Sequence, residues 1–309
     1  MTANSSTLER VQAQMERVTG PFHPQRRPAE LAVRVHEEVE ADGYLRRLLS
    51  YQSEEGQWTP AYLLLPRAVA AGTAAAPGVL ALHPTDHTLG HRVVVGLGGR
   101  PGRDYGRRLV QAGYVVLAPA YPLMADYQVD LAALGYRSGT MKAIWDNVRG
   151  VDLLESLPEV HPGGVAAVGH SLGGHNSLYT AVFDSRIQAV VTSCGFDSFS
   201  DYAGGDLSGW QQERYMPLLG GEAGVPFDFD DLLAGLAPRT VLVSAPQHDD
   251  NFRCASVRRL VDRARGRYAA LGAAQHLMAV YPDCGHDFPP EIQDLAVQVL
   301  GRVLPVQAV

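Results

Sequence analysis

Cysteine is scarce in this 309-residue chain: there are three, Cys194, Cys254 and Cys284. The number is odd and no C-x-x-C spacing occurs, which excludes a disulfide framework and a paired-thiolate zinc site and leaves free thiols. No apolar run reaches the roughly 18 residues of a membrane span, and the first residues lack the basic and apolar regions of a secretory signal. A soluble, cytoplasmic chain with no membrane partner is the expectation. Basic runs are missing as well. Lys and Arg number 26 against 33 Asp and Glu, a net charge of −7, so a nucleic-acid groove is not expected. No repeat or low-complexity linker divides the sequence, and 46% hydrophobic residues with 19% charged ones suffice for one large α/β core.

What is present is Gly169-His170-Ser171-Leu172-Gly173, set between a run of small and β-branched residues (165–168) and a helical pattern over 172–183. A strand buried on both faces that turns sharply into a helix exposes the serine Oγ at the turn, and the flanking glycines allow strand and helix to approach. Helix N-terminal N–H groups then lie beside that oxygen, where they can stabilise a developing oxyanion. With 32 glycines in the chain, G-x-S-x-G alone is a weak signal. Its context carries the weight.

A nucleophilic serine needs a base and a residue to orient that base, and candidates for both lie downstream at the ends of strand-like runs. The strand-like run 240–246 leads into Gln247-His248-Asp249-Asp250-Asn251-Phe252, and the strand-like run 276–282 leads into Asp283-Cys284-Gly285-His286-Asp287-Phe288-Pro289. Ser171, Asp249 and His286 are therefore read as the triad. Of the adjacent Asp249 and Asp250 only one can face the imidazole; the reading takes Asp249 and leaves Asp250 to solvent or to capping the next helix. Cys284 lies in the histidine loop without a strand-to-helix turn, which argues against it as a rival nucleophile.

Residues 1–40 read as a polar, partly helical lead-in, with 29–40 the better helical stretch, ahead of a single α/β domain over 41–309. Strands are expected at 44–52, 59–65, 77–82, 114–119 and 187–192 and helices at 103–112, 141–156, 256–271 and 290–304. That alternation predicts an α/β fold, a mostly parallel central sheet flanked by helices with right-handed crossovers. An aromatic insertion over about 196–235, after the sixth expected strand, with Trp210, Tyr215 and Phe227, reads as a lid or substrate wall.

The second oxyanion N–H, besides that of Leu172, should come from the loop His83-Pro84-Thr85-Asp86; Pro84 has no N–H, so Thr85 is the nearest donor. His83, His87 and His91 in one loop invite a metal reading, but no second ligand cluster accompanies them and a triad needs no Lewis acid, so no metal is expected. Gly96, Gly98 and Gly99 do not complete a dinucleotide fingerprint, because Pro101 stands where the third glycine belongs. No cofactor is expected.

These motifs, together with Tyr136-Arg137-Ser138-Gly139-Thr140-Met141-Lys142, Ser193-Cys194-Gly195-Phe196, Ala245-Pro246 and Asn251-Phe252, resemble the α/β-hydrolase superfamily, and within it a dienelactone-hydrolase-like and acetyl-xylan-esterase-like branch. The likeness covers roughly 44–304. It implies a serine hydrolase of carboxylic esters with a small-molecule substrate and Asp249 as the orienting acid. Two departures stand out: His83-Pro84 replaces the His-Gly of many relatives, and serine replaces the cysteine of dienelactone hydrolases proper, which argues against dienelactone as substrate. A serine peptidase of the prolyl-oligopeptidase type shares the elbow, but its N-terminal propeller has no room in the roughly 40 residues ahead of the first expected strand. A binding module without catalysis is the remaining alternative, disfavoured because all three triad positions hold competent residues. Self-association is left open.

Overall fold

Strand and helix alternate from Ala76 onward, and the computed structural model, which describes residues 3–28, 30–222 and 224–307, assembles them into a nine-stranded sheet. Strands β1 (Arg34–Ala41), β2 (Tyr44–Glu54) and β3 (Gln57–Pro66) form an antiparallel edge. Strands β4 (Ala76–Leu82), β5 (Val115–Pro119), β6 (Val160–His170), β7 (Ile187–Ser193), β8 (Thr240–Ser244) and β9 (Leu277–Val280) are mutually parallel. Their order is β1-β2-β3-β5-β4-β6-β7-β8-β9.

Helices cover both faces, as a parallel sheet requires. Val79 and Ala81 of β4 point into one core with Leu109 of α3 (Tyr105–Gln111) and Val299 of α8 (Pro290–Val303). Leu80 and Leu82 point the other way, toward Ile144 of α4 (Gly139–Ser156), Leu178 of α5 (Leu172–Phe183) and Leu260 of α7 (Cys254–Ala270). The period-2 alternation of one short strand thus feeds two cores.

The expectation of a helix over 29–40 is corrected: Ala29 lies outside the described residues, and 34–41 is β1, paired antiparallel with β2 from Arg34↔Ser50 to Ala41↔Tyr44. Val35 and Val39 are β-branched, and Asp42-Gly43, with Gly43 at φ 84°, supplies a two-residue hairpin turn that helical spacing concealed. The helix of the lead-in lies earlier, as α1 (Ala3–Thr19), and buries Val11, Met15 and Val18 in the main core beside α6 (Phe229–Leu236). With β1 counted, the insertion follows β7, the seventh strand. Most of its aromatic mass is core: Phe199, Trp210, Phe227 and Phe229 are buried, with the Phe196 and Phe229 rings stacked at 4.7 Å. Tyr202 and Tyr215 are left half-buried.

Lys142, the single lysine of the sequence, is fully buried on α4. It pairs with Asp146 one turn on and with Glu54 at 3.5 Å, and donates to Ser53 Oγ at 3.1 Å. Asp146 also accepts from Thr59 and Tyr127 at 2.8 and 2.9 Å. This network pins the segment after β5 to the sheet edge, with every charge partnered as burial demands.

Candidate active site

At the end of β6 the chain passes through Ser171 at φ 55°, ψ −121°, a left-handed backbone that side chains other than glycine rarely adopt, and enters α5 at once. The packing shows why glycine flanks it. A Cβ on Gly173 would lie 1.8 Å from the Leu82 carbonyl oxygen, and one on Gly169 would lie 2.1 Å from that of Gly173. Ser171 N–H donates to the Ser193 carbonyl at 2.8 Å, so the strained residue is tied to β7. Its side chain is half-buried at the head of α5, whose first N–H groups have no partner inside the helix.

The structure brings Asp249 and His286 together: Nδ1 of His286 lies 3.0 and 2.9 Å from the two carboxylate oxygens. Asp249 Oδ1 also accepts from the N–H groups of Asn251 and Phe252 at 2.8 and 2.9 Å. Burial pushes this carboxyl upward, but the bonds from His286 and those N–H groups outweigh it and hold the group below its ordinary value. An ionised Asp249 fixes the proton on Nδ1 and leaves Nε2 as the acceptor. Asp250, by contrast, is exposed, and α7 begins at Cys254 without a side-chain cap.

Two rings flank the imidazole. His170, the residue before Ser171, lies 4.9 Å from His286 between centroids, and Phe252 lies 5.8 Å away on the acid loop. Burial, then the charges of Arg103 and His286, push His170 well below the ordinary histidine range, so it stays neutral. His286 is held from behind. Arg103, two residues ahead of α3, donates to its carbonyl at 3.0 Å and pairs with the Asp287 carboxylate.

Leu172 packs its side chain with Tyr121, Met124 and Ala143, with Tyr215 of the insertion against them. Thr85 is exposed, its hydroxyl 3.4 Å from that of Tyr215, on the segment that follows the Leu82–His83 contact with α5. The loop's three histidines go to separate places. His83 accepts from Tyr121 N–H at Nε2 (3.0 Å) and therefore donates from Nδ1 to the Pro84 carbonyl (2.7 Å), which fixes the turn; burial lowers it to about 4. His91 is buried against Tyr62, and His87 is exposed beside Arg214.

Sequence reasoning missed Cys194, His170 and Arg103, because no local spacing points from them to His286, which lies 92, 116 and 183 positions further along the chain. Cys194 stands at φ 47°, and its Sγ, an Asp249 oxygen and a His286 nitrogen lie within 4.8 Å of one another. Burial, then the Asp249 carboxylate, raises this thiol, and it donates to the Asp287 carbonyl at 3.2 Å. A metal held by this trio would have to displace the His286–Asp249 bonds, so the residues fit a proton relay better than an ion cage. The arrangement offers a strained serine, an imidazole whose proton is fixed on the far nitrogen, and N–H groups at a helix start: the parts of acyl transfer.

The fold matches known esterase structures. The glucuronoyl esterase from Solibacter usitatus superposes with a TM-score of 0.74 at 17% identity, covering 97% of this chain and 91% of that one. Acetyl xylan esterase 1 from Thermoanaerobacterium sp. JW/SL YS485 gives a TM-score of 0.61 at 17% identity, covering 97% and 93%. In sequence, YtaP of Bacillus subtilis (strain 168) is 26% identical over 162 residues, which are 52% of this chain and 53% of that protein. The chain thus matches about half the length of that relative. Residues 93–295, well over half of the sequence, match the dienelactone hydrolase family, and the chain belongs to that family, whose members and structural neighbours with the α/β-hydrolase fold are carboxylic ester hydrolases.

Proposed function

We propose that the protein hydrolyses carboxylic esters through a Ser171–His286–Asp249 triad and an acyl-enzyme. The observation that carries this reading is the two-oxygen contact of Asp249 with His286 Nδ1, at the C-terminal ends of the parallel strands where Ser171 is forced to φ 55°. His286 Nε2 takes the Ser171 proton as Oγ attacks the ester carbonyl, and the N–H groups of Leu172 and Thr85 receive the oxyanion. The imidazolium returns the proton to the leaving alcohol. Water then enters, loses its proton to Nε2, and releases the acid. Asp249 holds the imidazole in the productive tautomer and balances its charge in both steps.

Substrates of the short-chain, aryl or carbohydrate ester class fit this site. Tyr215, half-buried against Leu172, offers a flat face suited to a sugar or aryl group. The structural neighbours named for glucuronoyl and acetyl xylan esters lend support. The test is hydrolysis of p-nitrophenyl acetate and of acetylated sugars by the native protein and by Ser171→Ala, with fluorophosphonate labelling of Ser171. Native turnover that vanishes in the variant is expected; turnover that survives it, or faster cleavage of aminoacyl amides than of esters, overturns the reading.

A further inference from the structure

The glycine-rich run that ends at Gly102 and the arginine after it have no part in the triad, yet they lie directly under its histidine. We propose that Arg103 is a positioning residue for His286, clamping the backbone of the histidine loop so that the imidazole keeps its direction toward Ser171. The proposal rests on the triad reading above.

Residues 281–289, between β9 and α8, have no regular structure of their own, so the bearing of His286 depends on ties to other segments. Arg103 supplies the central one. Its side chain is 8% exposed; Nη2 donates to the His286 carbonyl at 3.0 Å and Nη1 pairs with the Asp287 carboxylate. Beside it Gln293 donates to both the Gly102 carbonyl (2.9 Å) and the Phe288 carbonyl (2.7 Å), stapling the same two segments a second time. Gly102, at φ 77°, brings its Cα close enough that a Cβ would lie 3.4 Å from the Phe288 carbonyl oxygen. From the opposite side, Cys194 Sγ and Ser193 Oγ donate to the Asp287 carbonyl at 3.2 and 3.4 Å.

The clamp needs a guanidinium. Its donors fan out in a plane and reach a carbonyl and a carboxylate at once, whereas an ammonium on a flexible stem serves such divergent acceptors poorly. Asp287 is 48% exposed and partly screened, so the buried end of the pair is the arginine, whose donors would otherwise lack partners. A small loss of direction in a catalytic base slows the chemical step while leaving substrate binding alone.

Steady-state hydrolysis of p-nitrophenyl acetate by the native protein, Arg103→Met, Arg103→Ala, Arg103→Lys and Ser171→Ala tests this. Arg103→Met should lower kcat by about 10²-fold with KM changed by less than about twofold, and Arg103→Lys should fall between. Low concentrations of free guanidinium should restore part of kcat to Arg103→Ala, which leaves a space for it, and nothing to Ser171→Ala. Native kcat in Arg103→Met, or a loss in Arg103→Ala that guanidinium does not touch, overturns the clamp; if neither variant folds, Arg103→Lys, which keeps the buried charge, is read by kcat alone, and native kcat there overturns it. Native turnover abolished by Ser171→Ala upholds the hydrolase reading whatever Arg103 does. Should the native protein prove inactive, that reading falls, and the clamp is judged by the His286 ring N–H resonance, which must be lost in Arg103→Met.

Discussion

His286 rests its ring against that of His170, 4.9 Å between centroids, and His170 in turn stacks on Phe288 with planes 14° apart. Because Ser171 follows His170 directly, the side chain that walls the imidazole is one peptide bond from the strained serine. The wall is uncharged: burial, Arg103 and His286 all disfavour protonation of His170, so an imidazolium forming at 286 meets no cation there.

Removing that wall should slow the reaction without breaking the acid–imidazole contact. His170→Ala is expected to lower kcat by about tenfold, since the His286 ring gains freedom to turn. Steady-state ester hydrolysis measures it, and an unchanged kcat would show the ring to be held by the loop alone.

The two adjacent aspartates should separate cleanly. Asp249→Asn keeps the size but forces the wrong tautomer on His286, with an expected kcat loss of about 10⁴-fold, while Asp250→Asn should change kcat/KM by less than about twofold. Equal losses from the two substitutions would contradict the geometry, in which Asp249 accepts from His286 and Asp250 is exposed.

Lys142 makes a reporter of folding. Fully buried and ion-paired, it should resist amine-reactive reagents in the native protein and become modified only on unfolding. Lys142→Met strands Asp146 and Glu54 as uncompensated buried carboxylates, an expected cost of about 3–5 kcal/mol in urea denaturation. Native-state labelling at this residue, found by peptide mapping, would refute the burial.

Acid should weaken the fold before the carboxylates titrate. Burial is the leading cause that lowers His83 to about 4 and His91 and His175 to about 3, and it holds His170 well below its ordinary value. In the unfolded chain these groups bind protons near pH 6.5, so across the interval the unfolded state carries more protons than the native one. Stability is then full above about pH 6.5 and lost as pH falls toward about 4, by at most about 1.4 kcal/mol per pH unit for each histidine. Below that, protonation of Asp249, whose carboxyl is depressed, works in the same direction. Urea midpoints compared at about pH 7.5 and about pH 5 check the sign; equal midpoints would sink it.

The parallel part of the fold was legible in the sequence because strands buried on both faces are continuous apolar runs and the crossover helices repeat at 3.6 residues. The elbow was legible because its glycines are a local steric demand, and the loops after β8 and β9 because each follows a strand end directly. The edge was not: β1 is mostly exposed, so its pattern lacks a core face, and 29–40 passed for a helix. How much of the insertion is core was not legible either, since burial of Phe199, Trp210 and Phe229 was decided by helices far off in sequence.

Neighbouring residues alone dictated that a serine would stand at a strained turn with an acid and a histidine downstream, since backbone sterics and the pattern of strand ends are local. Long-range packing settles which carboxylate meets His286, that His170 walls it, and that Arg103 and Cys194 grip its loop. Those contacts join residues up to 183 positions apart, as in the Arg103 bond to the His286 carbonyl, and no local pattern encodes where separate strand ends converge.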